Sequence, residues 1–428
     1  MLRNLKKPAL AVTFVSLLLL TTFATAQLAP PSRDVGLQET VPLLVGYGGI
    51  KNTFEPGEQE LEPVFNPYLL LPFGKRWLAE VNVEFEGVFA HKSNEPWEKV
   101  FERKVEFAQI GFMANRYLTV VGGRFITPFG IYSERVQPLW IRKLQRKPLL
   151  AEMTTEASNG GMLRGGFRLG PGVNMNYAGY FAAATDIAPI EGTRSAGGRL
   201  GFYLTKPRLE IGGSFQRLFQ HERLKTYGVD VSWVPDFAPV ELRGEIARNA
   251  GQSGYWAETA YRLTRKHEAV GRLEQAFFPV PGEGEQRFRF GWNYHPDDKW
   301  KVSFSYGRDY HASENKGVFT LGLVYRLFFP LGPSQSQYAN RSADASQSSG
   351  NPGLLTEETP GPNRMPGAEK MGTFAVAPDF AYRVNCMRCH AEQKKLPERA
   401  AATVLRHMRI RANLTSDEAE AILHYLTR

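Results

Sequence analysis

Between Val41 and Phe329 the chain repeats one pattern, about ten residues of alternating apolar and polar character followed by a turn. Gln286 to Tyr294 is the clearest case: Phe288, Phe290, Trp292 and Tyr294 fall on one face, and Arg287, Arg289 and Asn293 on the other. A strand sends successive side chains to opposite sides of its sheet, so a period of two predicts a strand with one apolar and one charged face. Ala79, Val81, Val83 and Phe85 alternate in the same way with Glu80, Asn82, Glu84 and Glu86, as do Val240, Leu242 and Ile246 with Glu241, Arg243 and Glu245. The apolar faces are rich in Tyr, Trp and Phe, which suits a wall facing lipid. The pattern predicts an all-β transmembrane barrel of about 16 antiparallel strands over residues 41–330. A soluble sandwich, or a barrel with two strands more or fewer, stays open at this point.

The connections carry the same message. Every second one is short, among them Pro72 to Lys75, Ala114 to Arg116, Leu169 to Gly172 and His295 to Lys299. The intervening ones are mostly longer, including Lys51 to Gln59, Lys92 to Val100, Thr185 to Arg194 and Pro279 to Glu285, with Asn249 to Gln252 an exception. Short turns at one rim and long loops at the other are the asymmetry of an outer-membrane barrel, and an even strand count puts both barrel ends on the periplasmic side. The longest connection, about Pro128 to Asn159, carries Arg135, Arg142, Lys143, Arg146 and Lys147. By its place after the fifth strand it resembles the constriction loop of general porins, which folds into the lumen. That resemblance implies a basic pore biased toward anions; the alternative is a solvated surface loop. Gly123-Arg124-Phe125-Ile126-Thr127-Pro128-Phe129-Gly130-Ile131-Tyr132 is similar to a motif of uncharacterised bacterial porins, and the run Phe319, Leu321, Leu323, Tyr325, Leu327, Phe329 resembles the closing strand of outer-membrane barrels. In those proteins that strand ends the chain; here the chain continues to Arg428.

Composition and charge sharpen the picture in three places. Arg3, Lys6 and Lys7, the apolar run Ala9 to Phe23 and Ala24-Thr25-Ala26 predict an export signal over residues 1–26, followed by a lead-in over 27–40. No later segment approaches the roughly 20 continuous apolar residues of a membrane helix, so a membrane-spanning body has to be a barrel. The net charge of +9 would ordinarily suggest nucleic acid. Export removes that partner and favours outer-membrane lipid or an acidic periplasmic redox protein acting as donor or acceptor. From Leu331 to Gly372 the residues turn to Ser, Gln, Pro, Gly and Asn, a linker that as a flexible coil spans roughly 35 Å.

The two cysteines of the chain stand together in Cys386-Met387-Arg388-Cys389-His390. C-x-x-C-H is the attachment pattern of c-type haem: two thiols one helical turn apart add to the two vinyl groups of one porphyrin, and the adjoining histidine lies under the iron. A thioredoxin-like reading lacks its βαβ context, a zinc site lacks two further ligands, and a structural disulfide leaves His390 unexplained. Around the motif the pattern changes to helices. Phe374 to Val384 predicts an approach helix interrupted by Pro378. Pro397 opens a second helix with Ala401, Val404, Leu405 and Met408 at i, i+3, i+4, i+7, and Thr415 with Glu418 forms a capping box before Ala421, Ile422, Tyr425 and Leu426. Residues 373–428 thus predict a small all-α domain that resembles a class I cytochrome c. For the sixth iron position Met408 is the leading candidate, His407 is the alternative on a different helix face, and Met371, Met365 or an open position complete the set.

The whole chain is similar to the fused cytochrome-porins of outer membranes, with the domain order reversed. The resemblance implies one covalent haem c and single-electron transfer at the periplasmic face of the barrel. Two other readings follow from the same residues: an anion-permeable porin with a haem redox-sensing module, or a haem enzyme if the sixth position is open. A homo-oligomer, as in many trimeric porins, is compatible with the pattern. His91, His221 and His311 near outer loops read as ordinary surface histidines.

Overall fold

A computed structural model describes residues 40–331, 377–386 and 396–427, apart from positions 94, 171, 221–222, 279–283, 312–313, 413 and 415. The export signal, most of the lead-in, Met365, Met371, His221, Thr415 and nearly all of the linker lie outside the described residues. So do Met387, Arg388, Cys389 and His390.

Sixteen strands pair antiparallel, each with its neighbour in sequence, and β16 (Glu314–Pro330) closes on β1 (Leu43–Glu55) from Leu43 opposite Pro330 to Phe54 opposite Phe319. Closure leaves no free edge, so every ladder hydrogen bond is made within the wall. The alternation read from the sequence sets which face is which. On β14 (Glu285–Tyr294) Phe288 and Phe290 are exposed on the outside, whereas Arg289 between them is 1% exposed. On β3 (Trp77–Lys92) Val81 and Phe85 face out while Glu80 and Asn82 are buried, and on β11 (Val240–Arg248) Ile246 faces out while Arg243 and Glu245 are buried. Charge inside and apolar side chains outside is the reverse of a soluble sandwich, and it is the burial pattern of a barrel in a nonpolar surrounding.

The first four strands are longer than a membrane crossing of roughly 9–11 residues needs. β2 (Glu58–Phe73), β3 and β4 (Glu98–Met113) each have 16 residues. For that reason the Lys51 to Gln59 connection is not a long loop: β1 runs on to Glu55, β2 starts at Glu58, and the two meet in a tight turn with Gly57 at φ +80°. The short rim at the other end matches the expectation, with β6 (Ala157–Gly170) and β7 (Val173–Ala183) only two residues apart.

Among the described residues three helices follow: α1 (Pro378–Asn385), α2 (Glu398–Ala412) and α3 (Ser416–Thr427). Pro378 does not interrupt α1 but begins it, because proline's missing N–H and fixed φ cost nothing in a first turn. α3 packs against both other helices, with Tyr382 stacked on Tyr425 at 4.4 Å between centroids.

Candidate functional site

Two structures fill the barrel, one from each rim. From the long-loop side, residues 127–156 between β5 (Thr119–Ile126) and β6 turn into the lumen. The turn is made by the Gly-Arg-Phe-Ile-Thr-Pro-Phe-Gly-Ile-Tyr segment. Arg124 donates to Asn159 Oδ1 at 3.1 Å and to the Glu191 carbonyl at 2.9 Å, and Phe125, Phe129, Ile131 and Tyr132 are buried. Gly130 has φ +63°, where a side chain is strained, and a Cβ there would lie 2.0 Å from Glu245 Oε1, so the Glu245 carboxylate would have to shift.

A loop inside a barrel must find partners for its backbone, and the wall supplies them. Gly130 N donates to Ser214 Oγ at 2.9 Å, Leu149 N to Glu274 Oε2 at 2.8 Å, and Lys301 Nζ donates to the carbonyls of Leu139, Trp140 and Arg142. The basic side chains are matched as well. Arg135 pairs with Glu210, Lys143 with Glu241 and Glu268, Arg146 with Glu55 and Asp309 at 3.1 Å each, and Lys147 with Glu156 at 2.8 Å. Arg142 donates to the carbonyls of Gln137 and Gln145. The loop does enter the lumen, but the expected basic pore gives way to a lining of mixed sign, because each of these cations meets a carboxylate or carbonyl. Burial by itself raises the Glu156 carboxyl, yet Lys147 and Lys104 outweigh it and hold the group near 2, against an ordinary 4.5.

From the short-turn side, α2 seats in the mouth of the barrel. Thr403 Oγ1 donates to the Val41 carbonyl at 2.7 Å and accepts from Val41 N at 3.2 Å. Arg406 reaches the Gly74 carbonyl at 3.1 Å, Arg409 the Asn115 carbonyl at 3.2 Å, and Arg164 donates to the Arg411 carbonyl at 3.4 Å. His407 Nδ1 hydrogen-bonds the fully buried Glu80. The Arg411 guanidinium lies 4.4 Å from the centroid of Phe107. Ile410 and Ala400 enter one apolar cluster with Leu43, Leu70, Leu78 and Val121 of the wall. Asn174 donates to Glu418 Oε1 at 2.8 Å, so this carboxylate serves the barrel.

Thr403, Arg406, His407 and Ile410 therefore form the barrel-facing side of α2. At 100° per residue Met408 falls near Ala401 and Leu405, on a different side of the helix. Cys386 caps α1, its N–H donating to the Tyr382 carbonyl at 2.8 Å. Among the described residues, the expected haem-holding side chains are Cys386 on α1 and Met408 on α2, while His407 is engaged with Glu80. Cys389 and His390 follow Cys386 after two residues in the chain but lie outside the described residues. Among the described residues no three His, Cys, Asp or Glu side chains gather closely enough to hold a metal ion; His91 stacks on Trp97, and His311 is an exposed strand end.

No protein-family model and no curated protein sequence matches the chain. Solved structures similar to it include a loop-deleted OmpT of Vibrio cholerae (TM-score 0.46, 10% identity, 67% of this chain and 100% of that one). An anion-selective porin from Comamonas acidovorans has a TM-score of 0.46 at 10% identity, over 68% of this chain and 99% of that one. OmpF of Salmonella typhi has a TM-score of 0.47 at 10% identity, over 67% of this chain and 97% of that one.

Proposed function

We propose that the chain is an outer-membrane barrel whose C-terminal helical module carries one covalent haem c and passes single electrons at the periplasmic mouth. The observation that carries this reading is the Cys386-Met387-Arg388-Cys389-His390 motif, whose first cysteine caps a helix packed on the last helix of a three-helix module. The membrane placement rests on the outward belt of exposed Phe, Tyr, Trp and aliphatic side chains around a closed wall. Cys386 and Cys389 would hold the porphyrin, His390 and Met408 the iron. When bound, the group supplies a reversible one-electron iron couple. Met408 is preferred to His407 because His407 is committed to Glu80 in the barrel wall. The remaining contacts of α2 fix the module at the mouth, where a soluble periplasmic redox protein is the partner class.

The test is an optical spectrum of the full-length protein purified from membranes, oxidised and then reduced, with carbon monoxide added last. A low-spin c-type spectrum untouched by carbon monoxide supports the carrier. Met408→Ala is expected to open the iron to carbon monoxide, and His407→Ala to leave the spectrum as it was. A wild-type iron that binds carbon monoxide would replace the carrier by an enzyme or gas sensor, and the lack of any haem spectrum would overturn the reading.

A further inference from the structure

The lumen holds a cavity of about 310 Å³ between the inserted loop and the β1–β4 wall, large enough for a small solute at the lower end of roughly 300–1,000 Å³. Lys51 pairs with one oxygen of Glu62 and Lys104 and Gln137 reach Glu106, and beyond these pairs several polar atoms of the lining stay unused. Glu62, Glu84, Glu86 and Glu106 line the wall side. Glu62 Oε1, Asn82 Oδ1 and Gln137 Oε1 are buried acceptors with no hydrogen-bond partner, on residues that are 7%, 1% and 8% exposed. On the loop side, Arg142 Nε and Gln145 Nε2 are buried donors with no partner. A buried polar atom left without a partner is costly, so Glu62 and Asn82 acceptors on the wall, and Arg142 and Gln145 donors beside the Gln137 acceptor on the loop, describe a ligand with donors toward the wall and acceptors toward the loop. A metal ion is a poor match, since no three ligating side chains converge among the described residues. An ammonium group, which carries donors only, suits the wall, and a carboxylate suits the loop.

We infer that this cavity is a binding site for small zwitterionic solutes of amino-acid size, with the ammonium against Glu62 and its neighbouring carboxylates and the carboxylate against Arg142 and Gln145. The site stands on the lumen alone and does not depend on the haem module. Arg135, Lys143 and Arg146 are occupied by wall carboxylates and Lys147 by Glu156 of the loop itself, which keeps Arg142 Nε and Gln145 Nε2 as the loop donors on offer.

The experiment is calorimetric titration of the full-length protein in detergent with L-serine, then with methylammonium chloride, sodium acetate and magnesium chloride. Saturable one-site binding of L-serine is expected, with methylammonium and acetate each at least about tenfold weaker, because each satisfies one end only. Glu62→Gln is expected to weaken L-serine about tenfold by removing a charge-assisted acceptor. Gln137→Met tests the same site from the loop, outside the strands, where wall assembly is not at stake. No saturable L-serine binding overturns the proposal. So does L-serine binding that neither variant changes, and so does magnesium or acetate binding as tightly as L-serine.

Discussion

The seat of α2 in the barrel mouth makes a quantitative prediction at Ile410. Its side chain is fully buried, and its cluster partners are mostly residues of the wall. Truncating a buried Ile to Ala costs about 2–5 kcal/mol, which lowers the docking equilibrium roughly 30-fold or more. The facing wall residue is Gly111, where an added Cβ would lie 2.5 Å from Ile410 Cδ1. Gly111→Ala therefore pushes on the same contact from the other side, and in the Ile410→Ala background that clash is gone. The two changes should be strongly non-additive, the double variant being about as docked as Ile410→Ala alone. Native-state hydrogen exchange on the full-length protein reads this directly. Protection of the Ala401–Ala412 amides should fall in each single variant, while the barrel strands keep theirs. Additive effects, or undiminished protection in α2, would refute the packing argument. Loss of protection shared equally by α1 and α3 would mean that Ile410 belongs to the module's own core.

Three further outcomes follow from the inserted loop. Gly130→Ala should loosen it, since a Cβ is strained at a φ of +63° and displaces the Glu245 carboxylate that Tyr132 N donates to, and limited proteolysis between residues 127 and 156 should become faster. Arg135→Met breaks its pair with Glu210 but leaves Arg199 on that carboxylate, so the loss should sit at or below the low end of about 3–5 kcal/mol; planar-bilayer recordings should show larger or noisier conductance. The Glu156 carboxyl, held near 2 against 4.5, contributes stability that is present above about 4.5 and lost as pH falls through about 2. Glu156→Gln should flatten the acid limb of loop protection over that window, and an unchanged limb would refute the pairing with Lys147 and Lys104.

The wall of the barrel was legible because its code is local. A period of two needs only neighbouring residues, and it placed Arg289 inside and Phe290 outside before any pairing was known. The strand lengths were less legible: β1 and β2 extend past the membrane crossing, so residues such as Asn52 and Glu55 look like loop by composition and pair as strand. The polar face of β3 read as charged, but the separate fates of its members did not: Glu80 meets His407, Glu84 receives Asn66, and Glu86 stays with the cavity. Partners distant in the chain decide such things. The same holds for the loop, whose five cations look like a basic pore only while Glu210, Glu241, Glu268, Glu55 and Asp309 are out of view.

The helix α2 shows what this costs a site assignment. Its apolar positions Ala401, Val404, Leu405 and Met408 read as an inward face, which implies that Thr403, Arg406 and His407 meet water. In the structure Thr403 and Arg406 are buried, because strand-end carbonyls of the barrel satisfy them better than an apolar surface would. A helix with polar residues on one side and Met408 on the other is therefore covered on both, and the choice of iron ligand changes character. With His407 tied to Glu80, bringing it to an iron in the proposed reading would require α2 to leave its seat and would leave the buried Glu80 with Gln109 as its remaining side-chain hydrogen-bond donor. Met408 lies on the side of α2 that makes none of these barrel contacts. A His407→Ala variant that kept its docking and lost its low-spin spectrum would reverse that order.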